Sequence, residues 1–227
     1  MVRLQVIVEG QTEERFVRDV LAPFLWEHRV IPVARLVGTR KEQSRIYRGG
    51  LRKYEPLRRD LTTWLKQDRN PDARFTTMVD LHRLPSDFPG YKEGQRQRDS
   101  FQRVEYLESQ FAADIDDRRF VPYIQLHEFE ALLFAKPAQF AIAYPNRPRE
   151  LQQLSRIRSA FESPEHIDDG DETAPSKRIK SVLPDYQKAA AGPVIAREIG
   201  MQTLLSECAH FAGWVRRLAV AASIMEA

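Results

Sequence analysis

Acidic side chains stand at the ends of apolar segments in the first two thirds of the chain. Glu9 ends the apolar run LQVIV, Glu13 follows one helical turn later, and Asp80 ends the run FTTMV. Glu128 and Glu130 come after the run FVPYIQL. An acid at the end of a buried segment gains nothing for the core and must be satisfied by another partner. These five residues are therefore the first candidates for chemistry.

If the apolar segments are neighbouring parallel strands, their carboxyl ends lie at one edge of a sheet, where ligands bind. Carboxylates gathered there repel one another unless a cation neutralises them. Mg²⁺, or Mn²⁺ in its place, prefers such oxygen ligands. The metal ligands that we expect are Glu9, Glu13, Asp80, Glu128 and Glu130, with His82 as a further possible ligand.

Each of these residues also has a purely structural explanation. The helix dipole would favour Glu13 in the first turn of a helix. Glu128 would cap the helix that follows it while Glu130 faces solvent, and His82 would bond a backbone carbonyl. Glu9 and Asp80 are the hardest to explain in this way, because each directly ends an apolar strand.

The elements that must position these acids alternate between strand and helix. Strand-like segments at 4–8, 31–37, 75–81 and 120–126 are separated by helical patterns at 12–27, interrupted or kinked at Pro23, and at 54–67 and 95–113. Such alternation predicts an α/β fold with a parallel sheet of about four strands flanked by helices. Beyond Glu128 the pattern is helical only, at 129–135, 147–161, 176–183, 193–200 and 202–222. We therefore expect an α/β domain over 1–135 and a C-terminal helical lobe over 136–227 packed on it.

Basic residues are concentrated between positions 38 and 69, where ten Lys or Arg face four acids. Such a surplus is typical of a polyanion-binding surface, although an ordinary solvated helix and loop would explain it equally well. A predicted helix start is the second candidate for phosphate binding, because its backbone amides suit a phosphate oxygen. Lys177 and Arg178 follow this helix start. Lys177 is the catalytic candidate there, and a solvated helix terminus is the alternative. The phosphate-binding candidates are Arg40, Lys41, Arg45, Arg48, Arg52, Lys53 and Arg178.

Composition excludes several classes of function. The 227 residues contain one cysteine, Cys208, so an internal disulfide and a thiolate zinc cluster are excluded within the chain. There is no Walker motif, GxGxxG or HExxH, so ATP hydrolysis, dinucleotide binding and zinc proteolysis have no support. No apolar stretch approaches the roughly 20 residues that a membrane span requires, and the start does not resemble a signal peptide. We expect a cytoplasmic protein.

Several segments resemble a Toprim-related family of unknown function that is often encoded beside ATPases in bacterial defence loci. They are VEGQTEERFV, GGLRKYEPLRRDL, VDLHRLPSDFPG, PYIQLHEFEALLF, APSKRIKS and GMQTLLSECAHFAGWVRRL. More widely, EGxTE and the later acids resemble the Toprim superfamily of topoisomerases, bacterial primases and nucleases of the overcoming-lysogenisation-defect type. The resemblance implies a Toprim-like sheet.

The same resemblance implies roles for individual residues. Glu9 would be the general acid/base or metal-binding glutamate, Glu13 the second acid of the nuclease variant, and Asp80 the first acid of the DxD pair. The second position of that pair is His82 here, giving DLH, which removes one carboxylate from a two-metal site. Glu128 or Glu130 would then supply the missing ligand.

Three functions follow as expectations. The first is a Mg²⁺-dependent nuclease that cleaves phosphodiester bonds of DNA or RNA, as the anti-phage effector of a partner ATPase, with Glu9 deprotonating the attacking water. The second is a non-catalytic binding or regulatory subunit with a degenerate metal site, which the DLH sequence favours. The third is a phosphate-ester hydrolase for small molecules. A homo-oligomer is left open, and strand passage is excluded because the chain lacks a recognisable tyrosine nucleophile.

Overall fold

A parallel five-stranded sheet forms the centre of the molecule, in a computed structural model that describes residues 1–38, 51–167, 170 and 172–223. The strands are β1 (Val2–Val8), β2 (Val30–Leu36), β3 (Arg74–Asp80), β4 (Phe120–Val121) and β5 (Ile124–Gln125). The strand order is β2-β1-β3-β4, and β5 also pairs with β3. Every pairing is parallel. The predicted α/β class is therefore confirmed.

Helices connect the strands, and after β5 the described chain consists of helices joined by loops. They are α1 (Gln11–Phe16), a π-helix (Val17–Leu21), α2 (Ala22–Glu27), α3 (Tyr54–Gln67), α4 (Tyr91–Gly94), α5 (Ser100–Ile115), α6 (Glu130–Leu133), α7 (Pro148–Ser159), α8 (Pro175–Val182), α9 (Lys188–Ile199), α10 (Met201–Glu207) and α11 (Ala209–Ser223). Short 3₁₀ helices cover Pro137–Ile142 and Pro164–His166. Within the described ranges, no helix has the length and apolar character needed to cross a bilayer.

The two faces of the sheet bury separate hydrophobic clusters. Along β1, Leu4, Val6 and Val8 point into a cluster that includes residues of α1 and of the C-terminal helices. Ile7 points to the other face, against α3 and α5. This division follows from the two-residue period of a strand. The C-terminal helices thus share one core with β1, and the domain boundary near residue 135 stays a prediction.

The fourth predicted strand is interrupted in the structure. Pro122 separates β4 from β5 because proline has no N–H to donate to a sheet ladder. Threonine hydroxyls of β3 bond the carbonyls on either side of the break instead. Thr76 Oγ1 donates to the carbonyl of Val121 at 2.6 Å, and Thr77 Oγ1 donates to that of Tyr123 at 2.7 Å. These bonds hold the broken strand beside β3 and fix the loop that follows it.

Two predicted helices near the C-terminus have different bounds in the structure. The helix predicted to start at Pro193 starts five residues earlier, at Lys188, and the one predicted over 202–222 is divided at Cys208. Pro193 lies inside α9 and leaves the carbonyl of Ala189 without its helical donor. Arg15 Nη1 donates to that carbonyl at 3.0 Å. A side chain of α1 thus replaces the bond that the proline removes.

The first predicted helix continues through Pro23, where the sequence predicts an interruption or a kink. The π-helix over Val17–Leu21 precedes the proline, and Ala22 N–H donates to the carbonyl of Val17, five residues back. Because this turn is wider than an α-helical turn, the backbone accommodates the proline at the second position of α2. Helical structure therefore extends over the whole predicted range, 12–27.

Candidate functional site

The carboxyl ends of β1 and β3 bring Glu9 and Asp80 together. The two strands are direct neighbours, and Glu9 follows β1 where Asp80 ends β3. Glu9 Oε2 accepts a hydrogen bond from the backbone N–H of Asp80 at 3.1 Å. Glu9 Oε1 accepts another from the N–H of Leu51 at 3.2 Å. The Glu9 carboxylate thus connects the ends of β1 and β3 with the segment that leads into α3.

Asp80 fixes the loop that follows β5. Its Oδ1 accepts a hydrogen bond from the N–H of Phe129 at 3.0 Å, which places α6 directly beside the end of β3. Glu130, the first residue of α6, is fully buried as a result. Tyr186 O–H donates to Glu130 Oε1 at 3.5 Å. A third carboxylate therefore joins Glu9 and Asp80 at this edge of the sheet.

The ammonium of Lys188 lies among the carboxylates. Its Nζ is 3.1 Å from Glu130 Oε2, 3.2 Å from Asp80 Oδ2 and 3.6 Å from Glu13 Oε1. The three acids come from α6, β3 and α1. Because Glu9 is bonded to Asp80, it belongs to the same group. We call Glu9, Glu13, Asp80 and Glu130 the acid cluster.

Glu128 holds another element, although its negative charge still raises the pKa of Asp80 and of Glu130. Its Oε2 accepts a hydrogen bond from the N–H of Ser176, the second residue of α8, at 2.9 Å. Glu128 therefore caps α8, whereas the sequence suggested that it caps the helix carrying Glu130. Of the two residues predicted to supply the missing ligand, Glu130 is the one in contact with Lys188.

The predicted phosphate-binding cations at the start of α8, Lys177 and Arg178, take no part in the contacts between the acid cluster and Lys188. Lys177 is exposed, and one backbone amide of this helix start is already bonded to Glu128. Arg178 donates from Nε to the carbonyl of Thr173 at 2.6 Å, and its guanidinium lies 5.1 Å from the ring centre of Phe161. The charge that neutralises these acids is thus Lys188, and a phosphate-binding role for Lys177 and Arg178 stays a prediction.

Burial changes the proton affinity of every member of the acid cluster. It raises the pKa of Glu9 to about 7, and the negative charge of Asp80 adds to the rise. Burial likewise raises the pKa of Glu13 and of Glu130 to about 7, although the Lys188 ammonium works against it at both residues. The pKa of Asp80 is also raised by burial. Glu9, Glu13 and Glu130 therefore exchange protons near neutral pH instead of near pH 4.

The pKa of Lys188 is also raised, but by neighbouring charges and not by burial. Burial acts to lower its pKa, but the charges of Asp80, Glu130 and Glu13 outweigh burial and hold the pKa well above its ordinary value. Lys188 is also the first residue of α9, where the helix dipole disfavours a positive charge. The carboxylates must therefore be what holds the ammonium there.

The acid cluster fits a hard cation by its donor atoms and its charge. All of the donors are carboxylate oxygens, and in the part of the chain that the structure describes three of the four acids contact one ammonium, while Glu9 is bonded to Asp80. Glu130 Oε2 is fully buried and, despite its distance of 3.1 Å to Nζ, has no aligned hydrogen-bond donor. Hard divalent cations take such oxygens as ligands.

The present spacing is that of an ammonium site. Direct Mg²⁺–oxygen contacts measure about 2.1 Å, whereas the oxygens here stand 3.1 to 3.6 Å from Nζ. Accordingly, no group of three or more His, Cys, Asp or Glu side chains among the described residues is already arranged to hold a metal ion. A divalent ion would have to draw the oxygens inward.

The remaining predicted residues are peripheral or lie outside the described chain. His82 is half-buried, and its backbone N–H donates to the carbonyl of His127 at 2.8 Å. Arg52 and Lys53 are exposed just before α3. The candidates that lie outside the described residues are Arg40, Lys41, Arg45 and Arg48.

Sequence reasoning missed Lys188 and Tyr186. The predicted helix start at Pro193 left both residues in a loop, so neither was considered as part of the site. The signal was the segment KAAAG, a run of helix-forming and small residues that precedes the proline. Gly192 shows why small residues are needed, because a Cβ there would stand 3.1 Å from the Phe129 ring.

Comparison with known proteins gave one family and one structural relative. The model of a domain of unknown function, DUF4276, matches residues 8–219. The solved structure of the C-terminal region of the Burkholderia pseudomallei OLD protein is similar at 10% sequence identity and a TM-score of 0.45, with 98% of this chain and 99% of that chain covered. The search of curated proteins found no match.

Proposed function

The chain belongs to the DUF4276 family, which has no assigned function, and we propose that it is a divalent-metal-dependent nuclease whose active centre is the acid cluster. One observation carries this proposal. The buried carboxyl groups of Glu13, Asp80 and Glu130 lie together with that of half-buried Glu9 at the carboxyl edge of a parallel sheet, where burial and neighbouring negative charges raise their pKa values. An arrangement that costs stability in this way indicates a functional site.

Glu9 is the proposed general base. Its pKa of about 7 matches the requirement that a base be free to accept a proton near neutral pH. Both of its oxygens accept backbone hydrogen bonds, which fix the side chain but leave further lone pairs for a water molecule. Glu9 would take the proton from the water whose oxygen bonds to phosphorus, while the bond from phosphorus to the leaving ester oxygen breaks and that oxygen takes a proton from solvent.

Glu13, Asp80 and Glu130 are the proposed ligands of Mg²⁺ or Mn²⁺, because their oxygens face the common point now held by Lys188. When bound, such an ion would polarise the phosphate and stabilise its developing charge. Glu128 is a less suitable ligand, since one of its oxygens is bonded to Ser176.

The substrate class is proposed from charge and from sequence resemblance. Exposed Arg52 and Lys53 belong to the basic segment that precedes and includes α3, and cations of this kind bind a phosphate backbone. Lys177 and Arg178 would add contacts beside Glu128. The resemblance of VEGQTEERFV and VDLHRL to Toprim-related proteins adds the proposal of a partner ATPase in an anti-phage system, with DNA or RNA as the substrate.

A cleavage assay tests the proposal. Labelled DNA and structured RNA are incubated with the protein in Mg²⁺ or Mn²⁺, with and without a candidate partner ATPase. We expect cleavage by the wild type and a loss of at least about 100-fold in Glu9→Gln and Asp80→Asn, as is typical for removal of a catalytic group. Glu14→Gln, a half-buried neighbour on the same helix as Glu13, is the matched control. Full activity in both site variants would refute the proposal.

A second candidate function is a non-catalytic regulatory subunit. The observation that favours it is Lys188, since an internal ammonium that neutralises the acids makes a metal unnecessary for folding. On this account, titration with Mn²⁺ produces no heat of binding. Glu9→Gln and Asp80→Asn would then retain biological activity in the host, which the nuclease proposal forbids.

A further inference from the structure

Lys188 connects three elements through one charged group. Its Nζ contacts Glu13 on α1, Asp80 at the end of β3 and Glu130 on α6, at 3.6, 3.2 and 3.1 Å. The side chain leaves from the first residue of α9. The ammonium thus occupies the point toward which the carboxylates converge, and that is where a divalent ion would have to bind.

Two cations cannot share this point. A divalent ion must approach carboxylate oxygens to between about 2.0 and 2.6 Å, which would place it well inside the 3.1 to 3.6 Å shell around Nζ. Coulomb repulsion between an ammonium and a divalent ion at such a separation is severe in a buried site. One of the two must leave.

Lys188 has a route out, and the acids do not. Its side chain is 35% exposed, whereas those of Glu13, Asp80 and Glu130 are 4%, 10% and 0% exposed. Lysine has a flexible four-carbon stem, so rotation of that stem would carry the ammonium into solvent without moving the helix. The acids would remain in place to receive another cation.

We propose that Lys188 is a tethered cation that fills the acid cluster in the absence of metal, and that a divalent ion enters by displacing its ammonium. This inference rests on the proposed function, because it concerns the same site. It also makes Lys188 a determinant of cation specificity. A monovalent ion carries the same charge as the ammonium and lacks its tether, so it gains nothing by replacing Lys188, whereas a divalent ion adds one positive charge to an excess of carboxylates.

Calorimetric titration with Mn²⁺ tests the displacement. Lys188→Met removes the competitor, and we expect it to bind Mn²⁺ at least about tenfold more tightly than the wild type, since Coulomb repulsion by the ammonium is lost. Lys180→Met, which removes an exposed lysine of α8, is the matched control and should bind as the wild type does. Circular dichroism establishes that each variant is folded.

A second measurement uses the wild type and does not depend on the folding of Lys188→Met. Acetic anhydride is applied with and without saturating Mn²⁺, and acetylation of each lysine is read by peptide mass spectrometry. An ammonium held between carboxylates is protected, so we expect acetylation of Lys188 to increase severalfold with Mn²⁺ while that of Lys180 is unchanged.

The outcomes separate this inference from the proposed function. If the wild type binds Mn²⁺ but Lys188→Met binds it no more tightly, or if bound Mn²⁺ leaves Lys188 protected, displacement is wrong and the metal site survives. If neither the wild type nor Lys188→Met binds Mn²⁺, both proposals are wrong.

Discussion

The carboxylate of Glu9 accepts a hydrogen bond from the backbone N–H of Asp80 at 3.1 Å, so the acids that end two neighbouring parallel strands are directly connected. Asp80 in turn bonds Phe129 N–H through one oxygen and Lys188 through the other. The relative positions of Glu9 and Asp80 thus depend on the pairing of β1 with β3. A substitution at Glu9 alters both a candidate base and the anchoring of Asp80.

Stability should fall as pH rises through the range in which the buried acids ionise. The pKa of Glu130 is about 7 in the folded protein against 4.5 as its ordinary value. Between these pH values Glu130 therefore holds a proton in the folded state and has lost it in the unfolded state. The stabilising effect of this proton is complete below pH 4.5 and is lost as the pH rises through about 7. The side chain at position 130 cannot ionise in Glu130→Gln. Between pH 5 and pH 8 the free energy of unfolding of this variant should therefore fall by about 1–3 kcal/mol less than that of the wild type.

Urea denaturation with a chelator present measures this difference at both pH values. Glu14→Gln serves as the control and should follow the wild type, because Glu14 is only half-buried. An equal loss of unfolding free energy in wild type and Glu130→Gln would show that Glu130 is already ionised at low pH.

Arg15 should contribute to stability only because Pro193 lies inside α9. The guanidinium donates to the carbonyl of Ala189, which the proline leaves without a helical donor. Arg15→Met should therefore cost about 0.5–1.5 kcal/mol, the usual contribution of one hydrogen bond. In a Pro193→Ala background the new N–H can bond that carbonyl, so the same substitution should cost clearly less.

Thermodynamic double-mutant analysis of these four proteins gives the coupling between Arg15 and Pro193. Purely additive free energies would contradict the assignment of this hydrogen bond. Because Lys188 is in the first turn of the same helix, loss of the coupling would also weaken the explanation of how its ammonium is positioned.

Gly192 and Gly213 should respond oppositely to alanine. Both lie inside helices, where alanine is favoured over glycine by about 1 kcal/mol. A Cβ at Gly213 meets nothing within 4 Å, so Gly213→Ala should be stabilising by about that amount. A Cβ at Gly192 would stand 3.1 Å from the Phe129 ring and 3.2 Å from the Tyr186 hydroxyl oxygen.

Gly192→Ala should therefore gain less than Gly213→Ala or be destabilising, because the substitution separates α9 from residues beside the site. Chemical denaturation of the two variants measures the difference. Equal stabilisation by both would mean that the packing of α9 is looser than the distances indicate.

Much of the fold could be predicted because its signals are local. The strands β1 and β3 have strong apolar patterns, and their carboxyl ends differ from the predicted ones by no more than a residue, although β1 starts two residues earlier than predicted. The helix Tyr54–Gln67 has the predicted bounds, since its apolar residues repeat with helical spacing. Acids that follow such strands can be assigned to one sheet edge from the sequence alone.

The rest of the site depends on tertiary contacts that no local pattern contains. Glu128 and Glu130 are two residues apart, and only the bonds to Ser176 and Lys188 show which of them faces the cluster. Lys188 is 108 residues from Asp80 in the chain, and its helix was assigned a later start because Pro193 resembles a helix beginning. The helix-forming segment KAAAG favours the earlier start, and the Arg15 contact supplies the bond that Pro193 removes.

Anomalous diffraction from crystals soaked in Mn²⁺ shows whether the acid cluster binds a divalent cation. We expect one strong anomalous peak between the carboxylates of Glu13, Asp80 and Glu130, with the Lys188 ammonium moved into solvent. Ordered density for these side chains with no peak among them, and with Lys188 still in contact with Asp80 and Glu130, would contradict this expectation.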